Sequence, residues 1–71
     1  MKYYIYKTMT GESAFYYKVG QIITSFGQYI DNTDYQNFKK QINADEAQLE
    51  DADGNLMTAE QANEFINTLP Q

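Results

Sequence analysis

With neither a cysteine nor a histidine among its 71 residues, this chain must fold on side-chain packing alone. Disulfides and zinc sites are the usual supports of a small core, and a domain of this length buries only about 60% of the surface its unfolded chain exposes. Every large apolar side chain therefore counts. Apolar residues make up 42% of the chain, enough for a globule and too many for a disordered tail. The expectation is a single domain over residues 1–71. The same absences remove chemistry. Tryptophan is missing, and all five basic residues are lysines: Lys2, Lys7, Lys18, Lys39 and Lys40. Without imidazole, thiol or guanidinium there is no Ser-His-Asp or Cys-His site and no forked clamp on phosphate.

Local patterns divide the chain into two similar halves. Residues 2–8 and 14–19 are rich in aromatic and branched side chains and flank the turn signal Thr10-Gly11-Glu12-Ser13, which predicts a β-hairpin. Tyr3, Ile5 and Lys7 would share one face of its first strand, and Lys2, Tyr4, Tyr6 and Thr8 the other. Residues 20–31 admit two readings. Ile22, Ile23, Phe26, Tyr29 and Ile30 follow a helical period, which favours a helix. Ile22-Ile23-Thr24, with Gly20 and Gly27 nearby, suits a third strand at 21–26 instead. Thr33 and Gln36 have capping-box spacing and open a helix over about 33–43 whose buried stripe is Tyr35, Phe38 and Ile42, with Lys39 and Lys40 toward its negative end. Asp53-Gly54 places a turn inside 46–57, predicting a short hairpin with Leu49 and Leu56 facing the core. Thr58 and Gln61 repeat the capping box before Ala62, Phe65, Ile66 and Leu69, and Pro70 follows. The expected fold is α+β: a small antiparallel sheet made of the N-terminal hairpin and the short second hairpin, with two or three helices packed on one face.

Charge separates the halves. Residues 1–40 hold every lysine against Glu12, Asp31 and Asp34, a local sum of +2 within a net charge of −5. Residues 41–71 hold Asp45, Glu46, Glu50, Asp51, Asp53, Glu60 and Glu64 with no base. These carboxylates are the leading candidates for contact with a basic partner, since complementary charge raises association rate and selectivity. Asp51-Ala52-Asp53-Gly54-Asn55 resembles the opening of an EF-hand calcium loop over residues 51–62. The loop's obligatory glycine position is taken by Leu56, its closing carboxylate position by Ala62, and Glu60 falls two residues early. A turn feeding a capped helix accounts for the same residues, and no metal or cofactor is expected. An acid–base carboxylate pair would need a pocket that a core this small can hardly enclose, so the chain is not expected to be an enzyme.

Seven tyrosines form the second constellation. Alternation cannot bury Tyr3, Tyr4, Tyr6, Phe15, Tyr16 and Tyr17 on one side of a hairpin, so some must face outward. Tyr4, Tyr6 and Tyr17 are the candidates for protein contact, because tyrosine offers a large amphipathic area at low entropy cost. The alternatives are a single-stranded nucleic-acid platform made of Tyr4, Tyr6, Tyr16 and Tyr17 beside Lys2, Lys7 and Lys18, or a self-associating subunit. The acidic balance disfavours phosphate.

In size, charge, compactness and lack of catalytic side chains, the whole chain resembles the small acidic inhibitors encoded by phages and mobile elements, the anti-CRISPR proteins among them. The resemblance is one of general character and carries over no site residue. It implies a non-enzymatic inhibitor that docks on the basic, nucleic-acid-binding surface of a larger protein or ribonucleoprotein complex, as a monomer or homodimer. The opening residues contain no apolar run of the ~7–15 residues a secretory signal needs, so a cytoplasmic location without membrane contact is expected.

Overall fold

The apolar residues of the two halves meet between one face of a four-stranded sheet and two helices. A computed structural model describes residues 1–70. The elements follow as β1 (Lys2–Lys7), β2 (Ser13–Val19), β3 (Ile22–Phe26), α1 (Thr33–Asn43), β4 (Gln48–Glu50) and α2 (Ala59–Asn67), and the strands lie side by side as β3-β2-β1-β4. The α+β class is as the sequence predicts. Among the described residues no helix is long and apolar enough to cross a membrane.

β1 and β2 form the predicted hairpin, with Tyr4 opposite Tyr16 and Ile5 opposite Phe15. Residues 20–31 are not a helix. Gly20, at φ 61°, turns the chain back within the two residues between Val19 and Ile22, and β3 pairs antiparallel with β2. A left-handed turn costs glycine little, and the β-branched run that follows suits a pleated strand. Of the five residues spaced like a helical stripe only Phe26 is buried; Ile22, Ile23, Tyr29 and Ile30 are exposed. The helical period was a coincidence of short apolar runs.

The second hairpin is also corrected. β4 runs parallel to β1, with Leu49 beside Tyr3, so the sheet is mixed rather than antiparallel. The connection through α1 brings the chain back across the sheet, and Leu49 gains a fully buried place in that register. The expected partner strand shrinks to a single bridge between Glu50 and Leu56. Leu56 is 52% exposed, and Met57 packs against the core in its place.

Both helices begin at side-chain caps. In α1 the cap is Asn32, one residue before the predicted Thr33: its Oδ1 accepts the Tyr35 N–H at 2.9 Å, while Gln36 Nε2 donates to the Ile30 carbonyl. In α2 the predicted box is complete, Thr58 Oγ1 accepting from Gln61 N–H and Gln61 Oε1 from Thr58 N–H, each at 3.1 Å. The core joins Tyr3, Ile5, Phe15, Phe26 and Leu49 of the sheet to Tyr35, Phe38, Ile42, Ala62 and Ile66 of the helices. Its centre is aromatic, with Phe15 and Phe38 stacked 4.5 Å apart. Lys39 does not serve the helix end. It is buried, and its Nζ donates to the Pro70 carbonyl at 2.9 Å, the same oxygen that accepts the Tyr35 hydroxyl at 2.7 Å. A buried ammonium needs such partners, and the Tyr35 ring centroid, 4.6 Å away, adds another.

Candidate functional site

Two surfaces carry the residues the sequence singles out. The first is the acidic side of the molecule. Glu50 ends β4, Asp45 and Glu46 precede that strand, Asp51 and Asp53 follow it, and Glu60 and Glu64 lie on α2, which packs beside it. All seven thus lie on β4, the segments that flank it and α2, but they do different work. Glu50 accepts from Lys2 Nζ at 3.1 Å, and this hydrogen bond raises the Lys2 pKa above its ordinary value. Asp51 closes a turn: its Oδ1 accepts the N–H groups of Asp53 and Asn55, each at 2.9 Å. The calcium-like run is therefore a turn that its own first carboxylate holds. Asp45 sits at φ 58°, just past the end of α1. Its N–H meets the Ile42 carbonyl and the Glu46 N–H meets that of Gln41, the paired closure of a helix end that normally selects glycine.

That leaves Glu46, Asp53, Glu60 and Glu64. All four are exposed, and among the described residues none has an ion-pair partner or a side-chain hydrogen bond. No group of three acidic side chains among the described residues comes together as a metal ion needs.

The second surface is the sheet face away from the helices. Strand alternation sends Tyr4 and Tyr6 of β1, Tyr16 and Lys18 of β2, and Ile23 and Ser25 of β3 to that side. A shallow open hollow of about 470 Å³ is lined by Tyr6, Tyr16, Lys18, Ile23 and Ser25. Tyr17 does not belong here. It lies on the helix-covered face, edge-on to Tyr3 at 5.6 Å, with its hydroxyl donating to Asp34 Oδ1 at 3.2 Å. Tyr16 takes its place, as the parity of buried Phe15 requires; Ile23 becomes legible as a lining residue only once 22–26 is read as a strand.

The rings of this face are already engaged with one another. Tyr4 and Tyr16 stack face to face, 4.7 Å between centroids and 7° from parallel, and Tyr6 leans on Tyr16 at 5.9 Å. The Lys2 and Lys18 ammonium groups stand 5.1 and 5.4 Å from the Tyr4 centroid. A ring stacked on its neighbour and flanked by two cations has little free face to offer a nucleobase.

No protein-family model, no curated protein and no solved structure matches the chain. The functional reading therefore rests on these two surfaces.

Proposed function

We propose that the protein is a non-enzymatic binding module, an inhibitor that docks its acidic side on the basic, nucleic-acid-binding surface of a larger protein or ribonucleoprotein complex and blocks it. One observation carries this reading: Glu46, Asp53, Glu60 and Glu64 are exposed and have no cation partner among the described residues, in a stretch of sequence that contains no base after Lys40. Carboxylates held on a short strand and a capped helix can stand where phosphates would stand, and the unneutralised charge steers the approach. This is the behaviour of the small acidic anti-defence inhibitors that the chain resembles.

The single-stranded nucleic-acid reading is less well supported. Tyr17 faces the core, and Tyr4 and Tyr16 spend their ring faces on each other.

The test is capture by purified basic nucleic-acid-binding complexes and nucleases, read together with their binding to labelled nucleic acid. Capture at low salt that fades as ionic strength rises, with release of the nucleic acid, is expected. The combined variant Glu46→Lys, Asp53→Lys, Glu64→Lys should lose both effects while its circular dichroism stays unchanged. These three positions are chosen because Glu50 and Asp51 hold structure. Absence of capture by every complex at low salt overturns the proposal.

A further inference from the structure

β3 is an outer strand of the sheet, and it lacks every device that ordinarily guards such a strand. Charged side chains, proline, bulges and covering segments each block the addition of a further strand. Between Val19 and Ile30 there is no Asp, Glu, Lys, Arg or Pro. The pairing of β3 with β2 runs without a bulge from Val19 opposite Ile22 to Phe15 opposite Phe26. Among the described residues, no backbone hydrogen bond reaches β3 from any element other than β2. Ile22 and Ile23, neighbours in sequence and hence on opposite faces of the sheet, are 69% and 60% exposed.

We propose that this edge is where two copies of the chain associate, β3 adding antiparallel to β3 across a two-fold axis to make one continuous eight-stranded sheet. Charge selects a second copy as the occupant. A chain of net charge −5 repels its own kind, which favours a meeting of copies on a strand that itself carries no charge. The strand order places β4, with Glu50 and the flanking Asp51 and Asp53, three strands away from β3. At a strand spacing of ~4.8 Å this is about 14 Å, beyond the ~8 Å over which physiological salt screens exposed charge. A strongly charged partner, by contrast, would find no complementary group on the strand.

The sequence of β3 is also self-complementary in that arrangement. With the axis at its central residue, Thr24 faces Thr24, Ile23 faces Ser25 and Ile22 faces Phe26. Threonine pairs and aromatic-to-branched pairs are among the favourable cross-strand neighbours. The contact uses the same edge on both copies and therefore closes as a dimer instead of continuing as a fibre. It does not use the acidic residues, and it leaves β4 free at both ends of the joined sheet.

Sedimentation and light scattering from micromolar to millimolar concentration test the proposal. The molar mass of the native chain should double as concentration rises, and Ile22→Lys with Ile23→Lys should remain monomeric throughout. A native chain that stays monomeric at millimolar concentration overturns the proposal, and so does a dimer that the two lysines leave intact. The cysteine-free background allows a second readout that does not need those lysines to be tolerated. Opposed residues of an antiparallel pair have Cα atoms about 4.5–5.5 Å apart, within disulfide reach. Thr24→Cys should therefore give a covalent dimer on mild oxidation, and Thr10→Cys, in the exposed β1–β2 turn, should not. Equal cross-linking of the two variants, or none of Thr24→Cys, is evidence against the interface.

Discussion

The two edges of the sheet are built on opposite plans. β4 is three residues long, and its outer side is already occupied: Leu56 bridges Glu50, the Met57 N–H donates to the Leu49 carbonyl at 2.8 Å, and the Asp51 N–H to that of Asn55 at 2.9 Å. The chain folds back on its own edge strand and closes it. β3 is longer, uncharged and uncovered. Shortness, acid and a returning segment all protect one edge, and nothing protects the other. The difference separates two kinds of contact that a small protein must keep apart. Backbone pairing is available only where the charge is missing, and the charge gathers only where backbone pairing is already satisfied.

The largest expected contrast lies in stability. Leu49 in β4 is fully buried beside Tyr3 in the core, so Leu49→Ala should cost about 2–5 kcal/mol by removing transfer energy and leaving a cavity. Ile23→Ala in β3 should change stability by no more than ~0.5 kcal/mol, because the side chain is mostly in water. Urea unfolding of the two variants at a concentration low enough for monomers checks this. Equal losses would mean that Ile23, like Phe26 of the same strand, is part of the core.

The strand beside β4 makes the closed edge sensitive to alkali. Burial raises the Tyr3 pKa above the ordinary 10.0, with Tyr17 and Asp34 adding to the shift, and burial raises that of Tyr35 in the same direction. A raised folded-state value means that the neutral phenol is the form the fold favours. The stabilisation is thus complete below the unfolded value of 10.0 and is lost as pH rises through the folded one. The melting temperature should hold steady below that range and fall above it. Tyr3→Phe should soften the alkaline fall while losing the 3.1 Å hydrogen bond to Gln41 Oε1 at every pH. An alkaline fall identical in Tyr3→Phe would assign the effect to other groups.

A smaller effect should open the closed edge. Asp51→Ala removes the one oxygen that accepts two N–H groups in the turn that returns over β4, a loss of about 1 kcal/mol. With residues 55–57 released, the chain should present two uncovered edges in place of one. Light scattering should then register species larger than a dimer, whereas an unchanged mass distribution would show that β4 is too short to pair even when uncovered.

How much of this was legible in the sequence follows from the range of each signal. The box at Thr58 and Gln61 is complete within four residues and formed as read. The stripe of Tyr35, Phe38 and Ile42 repeats at the helical period and is buried as read. The parallel seat of β4 beside β1 was invisible, because it depends on Leu49 meeting Tyr3 across most of the chain. The same limit applies to the tyrosines. Alternation separates Tyr3 from Tyr4 but does not say which row the helices cover, and so the sequence alone offers Tyr17 as an outward residue. For the acidic side, the local charge sum found the region. It could not distinguish Asp51, which spends an oxygen on its own turn, from Asp53 two residues on, which has no such partner. That distinction needs three-dimensional neighbours.

The smallest expected effect concerns the only ion pair among the described residues. Lys2 and Glu50 lie 3.1 Å apart at the closed edge, with side chains 38% and 23% exposed. Exposed pairs of this kind gain little, because water and salt screen them and two long side chains must be held in one geometry. If the returning segment is what guards β4, Lys2→Met should alter neither the concentration at which the chain dimerises nor, by more than a fraction of the Asp51→Ala effect, its stability. If electrostatics were the guard, the same substitution would leave Glu50 uncompensated, make the acidic edge more repulsive and shift association measurably, with a steeper dependence on salt than that of the native chain. The dimerisation curves of Lys2→Met and the native chain at two ionic strengths separate these outcomes. Coincident curves assign the protection of β4 to backbone closure and leave its charge free for a partner.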